Sequence, residues 1–156
     1  MKQFKPVYGI ALIACFVSLA YLADAILLDQ GRQFERVAPD RDGRVVLDVS
    51  SLAASEVNFY RFLNSGNQEV KFFVGRDENR IVHVAFDASE NDYKRKRGFR
   101  FHDGWMVSNK CDTATRLSDV SSGSGGCRPE PVRHRLDGDR LILEETDILS
   151  GWRYFR

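Results

Sequence analysis

Residues 7–28, VYGIALIACFVSLAYLADAILL, carry a single formal charge, Asp24. As a helix at about 1.5 Å per residue, the run spans roughly 33 Å, enough for a hydrocarbon core of about 30 Å. A segment this long and apolar restricts the rest of the chain to what can hang from one membrane helix. The expected organisation is a signal-anchor helix at residues 1–28, a polar stalk at 29–43 (DQGRQFERVAPDRDG), and a folded domain at 44–156. Lys2 and Lys5 precede the run and Asp29 follows it, which places the N-terminus in the cytoplasm and the domain outside it. Two cleaved forms compete with the retained anchor. LADA ends in a signal-peptidase pattern, and LIAC ends in Cys15 like a lipoprotein box. The apolar run continues well past Cys15, whereas a lipidated cysteine opens a polar tether, so the anchor is the expected form. Cys15 is then a small apolar residue of the helix.

The remainder is long enough to bury a core of its own. A net charge of +1 gives no basic face for nucleic acid, and no helix-turn-helix or RNA-binding aromatic signature is present. Short β-branched and aromatic runs recur, at 44–49, 57–63, 69–75, 80–87, 99–101, 105–107, 131–136 and 140–145. They are punctuated by the turn sequences NSGN, RDEN, HDG and DGD. SSLAASE reads as a turn or a helical step, and ATRLSDVSSGSGG as a flexible loop. TDILSGWRYF reads as a short closing helix capped by Thr146. The predicted fold is mainly β with short helices, an antiparallel, hairpin-rich domain outside the cytoplasm. In the run 80–87, Val82, Val84 and Phe86 are expected to face the core and Ile81, His83, Ala85 and Asp87 to face away.

Cys111 and Cys127 bracket the Gly/Ser-rich loop. A disulfide is the most economical reading, with metal ligation and a redox-active pair as alternatives. His83, His102 and His134 fall in different hairpins, with none at helical ligand spacing, and each reads as a polar residue on a solvated strand face. Lys94, Arg95, Lys96 and Arg97 make a solvated turn or a contact with anionic lipid or an acidic partner; Asp87, Glu90 and Asp92 lie just before them. Glu144, Glu145 and Asp147 gather where a helix start favours negative charge. No Ser–His–Asp arrangement, phosphate loop or nucleophile elbow is visible, so an enzyme is not expected.

The stretches EVKFFV…RIVHVAFDASENDY…KRGFRFHDGWMVSNKC…GGCRPEP resemble a bacterial family of membrane-anchored iron–sulfur-type proteins of unknown function. The resemblance covers about residues 70–131, and more weakly the closing hairpin and helix. The family pattern is a strand ending Ala-Phe-Asp-Ala, a C-x-x-C, a Tyr, a Lys/Arg-Gly-aromatic turn, a second C-x-x-C, and Gly-Gly-Cys-x-Pro. The first C-x-x-C falls here on Ser89 and Asp92, the second on Ser108 and Cys111, and the last cysteine on Cys127. Of the two pairs, one thiolate survives. Soft metal or cluster binding needs about four thiolate or imidazole ligands, which serine and aspartate do not replace. The resemblance therefore implies a degenerate member with vestigial ligand positions Ser89, Asp92, Ser108 and Cys111. It leaves Cys111 free to join Cys127 as a staple in place of metal.

By the same resemblance, the chain is expected in a bacterial inner membrane with its domain in the periplasm. No cofactor is expected. The leading function is a non-catalytic, single-pass accessory subunit packed on transporter permease subunits, in iron uptake or a macrolide-exporter-type system, and touching membrane lipid. The alternative is a metal-binding or electron-transfer protein of iron or copper acquisition. Such a protein would hold an iron–sulfur cluster or a single iron, copper or zinc ion through Cys111, Cys127, His102 and Asp92. A weaker alternative is a thiol–disulfide carrier cycling Cys111 and Cys127.

Overall fold

The computed structural model describes residues 33–91 and 93–156. The apolar N-terminal run and Asp92 lie outside the described residues. Among the described residues no helix is long and apolar enough to cross a membrane.

Among the described residues, ten strands, three 3-10 segments and one short α-helix follow one another. The strands are β1 (Phe34–Val37), β2 (Arg44–Asp48), β3 (Glu56–Leu63), β4 (Glu69–Arg76), β5 (Val82–Phe86), β6 (Phe99–His102), β7 (Trp105–Ser108), β8 (Ala114–Arg116), β9 (Arg135–Asp137) and β10 (Arg140–Glu144). The helix, α1, is Glu145–Leu149. The strands make three sheets, ordered β1-β3-β4-β5, β2-β10-β9 and β6-β7-β8. All pairings are antiparallel except β1 with β3. The mainly β, hairpin-rich fold is the one the turn signals predict. Asp103 and Gly104 both take positive φ between β6 and β7, the backbone that a two-residue hairpin turn needs.

The β1-β3-β4-β5 sheet is the middle layer, because alternate residues of its strands feed two separate cores. Tyr60, Phe62, Val70, Phe72, Val74, Val82, Val84 and Phe86 face one side, where they meet β2, β10 and α1 through Val45, Leu47, Leu141, Leu143 and Ile148. Phe59, Phe73 and Ala85 face the other, against Phe99, Met106, Leu117 and Val120. Burying a large side chain of this kind contributes about 1.5–3 kcal/mol. With apolar contacts on both faces, the middle strands are the least exchangeable part of the domain.

That second core overturns several expectations. β5 is buried throughout, so His83, Ala85 and Asp87 lie inside; of the face expected to be solvated, only Ile81 is exposed. The presumed flexible loop supplies β8 and a 3-10 segment, Leu117–Ser122, whose Leu117 and Val120 are its buried anchors. Two apolar residues suffice because Gly75 leaves room for Leu117: a Cβ there would sit 2.7 Å from it. The run 131–136 is not one strand. Residues 130–132 line the edge of β5, with Phe86 N–H donating to Glu130 O and Val132 N–H to Val84 O, and only Arg135–Asp137 pairs with β10. From Phe34 to Val37 the expected stalk is an edge strand, with Phe34 packed edge-on against Phe59 at 5.6 Å. α1 begins at Glu145, so Thr146 lies inside it, and no side chain caps its start.

Candidate functional site

The positions that the family pattern gives to ligands are organised by Asp87, the residue after β5. Its carboxylate accepts the Phe99 N–H at 2.7 Å. Gly98 lies against the same carboxylate at φ +63°, and a Cβ there would overlap it. The Asp at the end of one strand and the Gly-aromatic turn before another are thus two halves of one contact, which docks β6 and β7 on the end of β5. Ser108 pairs with Phe99 at that end of the ladder.

Ser89 and Ser108 are both fully buried. The Ser108 Oγ accepts the N–H of Cys111 at 3.2 Å and of Lys110 at 3.3 Å. Asn91 N–H donates to Gly126 O at 3.1 Å, and the Asn91 amide points at Cys127 Sγ at 3.8 Å. The Lys110 ammonium donates to Asn91 O. Cys111 and Cys127 are joined in a disulfide with their Cα atoms 6.3 Å apart. Three segments far apart in sequence, 89–91, 108–111 and 126–127, therefore meet at one place, which holds four of the family positions. The fifth, Asp92, lies outside the described residues.

The donor chemistry there does not suit a cluster. It consists of two hydroxyls and two sulfurs bonded to each other, and neither sulfur is a thiolate. Among the described residues no group of three or more His, Cys, Asp or Glu could hold a metal ion. The Ser89 Oγ is buried with no hydrogen-bond partner among the described residues. A buried orphan hydroxyl costs about 1–3 kcal/mol, whereas a thiol is only weakly polar, so the environment of Ser89 suits a thiol better than a hydroxyl.

Other predicted residues stand apart from this place. His102 pairs with Trp105 at the turn of the β6–β7 hairpin, about 10 Å along the strand from its Ser108 end. The structure therefore does not bring His102 to Cys111. His134 Nδ1 lies 3.0 Å from its neighbour Val132 O. Lys94, Arg95, Lys96 and Arg97 are all exposed, on and just after the 3-10 turn Tyr93–Arg95.

A second constellation is invisible in the sequence. His83, buried in β5, places Nε2 3.0 Å from Asp77 Oδ2 and Nδ1 3.0 Å from Ser121 Oγ. The Asp77 Oδ1 accepts the Ile81 N–H at 2.8 Å. Burial by itself raises the Asp77 carboxyl, but hydrogen bonds from His83 and from the N–H groups of Ile81 and Asn79 outweigh it. The carboxyl is held below its ordinary range. Asp77 and His83 are 3% and 6% exposed, while Ser121 is open to solvent. His83 reads as solvated only so long as nothing covers the far face of β5. The 3-10 segment that covers it also delivers Ser121, so no local spacing could have signalled the set.

The comparison with protein families yields one match: the model described as membrane iron-sulfur containing protein, FtrD-like, covers residues 52–155. No curated protein and no solved structure matches the chain at a significant level.

Proposed function

The chain belongs to the FtrD-like family of membrane iron-sulfur containing proteins, and on that premise we propose that it is an accessory subunit of an iron-related membrane complex in which a disulfide has taken the place of the cluster. Its N-terminal segment anchors it in the bacterial inner membrane, and its β domain packs in the periplasm against transporter permease subunits. One observation carries the reading. The segments that the resemblance assigns to ligands converge, and they deliver Ser89, Ser108 and a Cys111–Cys127 disulfide. Retention of the scaffold without its soft ligands fits a domain kept for the surface it offers. The exposed cations Lys94, Arg95, Lys96 and Arg97 follow directly on the ligand segment, where an acidic partner or anionic lipid heads could meet them.

Two measurements test this. Protein purified anaerobically, without chelator, from iron-replete cells is expected to hold iron, copper and zinc well below one per chain and to lack cluster absorption. Stoichiometric metal that disappears in Cys111→Ala would sink the reading. Crosslinking in intact membranes is expected to join the domain to a multi-span protein, less efficiently when Lys94, Arg95, Lys96 and Arg97 are all changed to Glu. Recovery of the chain alone after crosslinking would count equally against it.

A further inference from the structure

Asp77, His83 and Ser121 form a line of hydrogen bonds. An ionised carboxylate only accepts, so Asp77 takes the Nε2–H of His83. In the neutral imidazole the Nδ1 nitrogen then bears the lone pair and accepts the Ser121 hydroxyl proton. The imidazole cannot turn away, because it is buried in the central sheet and Asp77 is itself tied to the Ile81 N–H. These are the relations of a nucleophile, a general base and the group that orients the base, which are recognised by geometry and not by sequence order.

A cavity borders the Asp77 end of this line. A surface cavity of about 140 Å³ is lined by Asp77, Glu78, Asp103, Trp105, Arg116 and Ser118, among others. Ser118 and Ser121 are three residues apart in a 3-10 segment, where such side chains eclipse at about 6 Å spacing. Ser121 lies one turn along this segment from Ser118 and outside the cavity wall, in which Asp77 is the member of the hydrogen-bonded line. We propose that the exposed Ser121 is a base-activated nucleophile that takes the acyl group of a small ester approaching from the side of this cavity.

The Ser121 Oγ attacks the ester carbonyl carbon as its proton passes to His83 Nδ1. The carbon–oxygen bond of the ester breaks, and the departing alcohol takes that proton. Water then adds to the acyl-serine by the same proton route, releasing the acid and restoring the hydroxyl. With Glu78 and Asp103 in its wall and Arg116 stacked 5.1 Å from the Trp105 ring, the cavity favours a neutral or cationic ester over an anionic one.

The test uses the full chain in detergent, a fluorophosphonate probe and p-nitrophenyl acetate. One adduct per chain, mapping to Ser121, is expected. Ser121→Ala abolishes it and Ser122→Ala leaves it intact. Loss of the base in His83→Gln slows labelling by about 100-fold or more, the scale of general-base catalysis. Should that variant fail to fold, the wild-type pH profile decides: a neutral imidazole base gives a labelling rate that climbs with pH and then levels, while an unassisted hydroxyl keeps climbing. Hydrolysis of p-nitrophenyl acetate falls to background in Ser121→Ala, and the p-nitrophenyl half-ester of succinate turns over more slowly than the acetate. The proposal is overturned by no adduct on folded protein, an adduct elsewhere, labelling that ignores His83 in both the variant and the pH profile, ester turnover unchanged in Ser121→Ala, or equal turnover of the two esters.

Discussion

Replacing both Cys111 and Cys127 with serine tests whether the disulfide is the staple that the proposed function requires. The bond closes a loop with a sequence separation of 16. In the chain-entropy treatment, a loop of that size gives about 3 kcal/mol of stabilisation, acting through the unfolded chain. For a domain the size of Phe34–Arg156, each kcal/mol moves Tm by about 4 °C, so the double variant should melt about 12 °C lower. The native fold should survive, since the same segments are also held by Asn91 N–H on Gly126 O, Ser108 N–H on Thr113 O and Asp87 on Phe99 N–H. Urea unfolding of residues 34–156 followed by circular dichroism separates the two states. Because the released unfolded chain exposes more surface, the m-value should rise as the midpoint falls. A loss under about 1 kcal/mol with an unchanged m-value would refute the reasoning. It would mean that Leu117, Val120 and the segment contacts order the loop without the bond.

Gly98→Ala should cost about 2.5–5 kcal/mol. It combines about 1–2 for a left-handed non-glycine residue with about 1.5–3 for displacing the carboxylate that accepts the Phe99 N–H. Gly104→Ala, at φ +81° with open space around it, should cost only the first part; equal losses in urea titrations would rule out the Asp87 contact as the cause. Ser89→Ala should be neutral or stabilising by up to about 1 kcal/mol, since it removes an orphan hydroxyl, and a clear destabilisation would show that the Oγ is satisfied. Asp77, held low in the fold, contributes stability that is fully present above about pH 4 and is lost as pH falls through its lowered value. Asp77→Asn should therefore flatten the dependence of stability on pH below about pH 4, and an unchanged slope would assign that dependence to other carboxylates.

The strands were legible where apolar alternation met turn chemistry. NSGN, RDEN, HDG and DGD each separate strands that do pair, and the mainly β class follows from that spacing. The Cys111–Cys127 disulfide was also legible, because two cysteines bracket one Gly/Ser-rich loop. Asp87 could be seen in the motif but not explained there, since its partner Phe99 is twelve residues away. What sequence could not give was the second core. An alternating strand announces one apolar face, and whether the other meets water or protein depends on segments that arrive from elsewhere. Residues 114–122 look like polar loop, yet with Leu117 and Val120 as anchors they cover β5 and bury His83. Local periodicity thus determined the central strands and the turns between them. Only the tertiary packing decided that His83 lies between Asp77 and Ser121, because a hydrogen-bonded line across three elements depends on how they stack and not on any spacing within them.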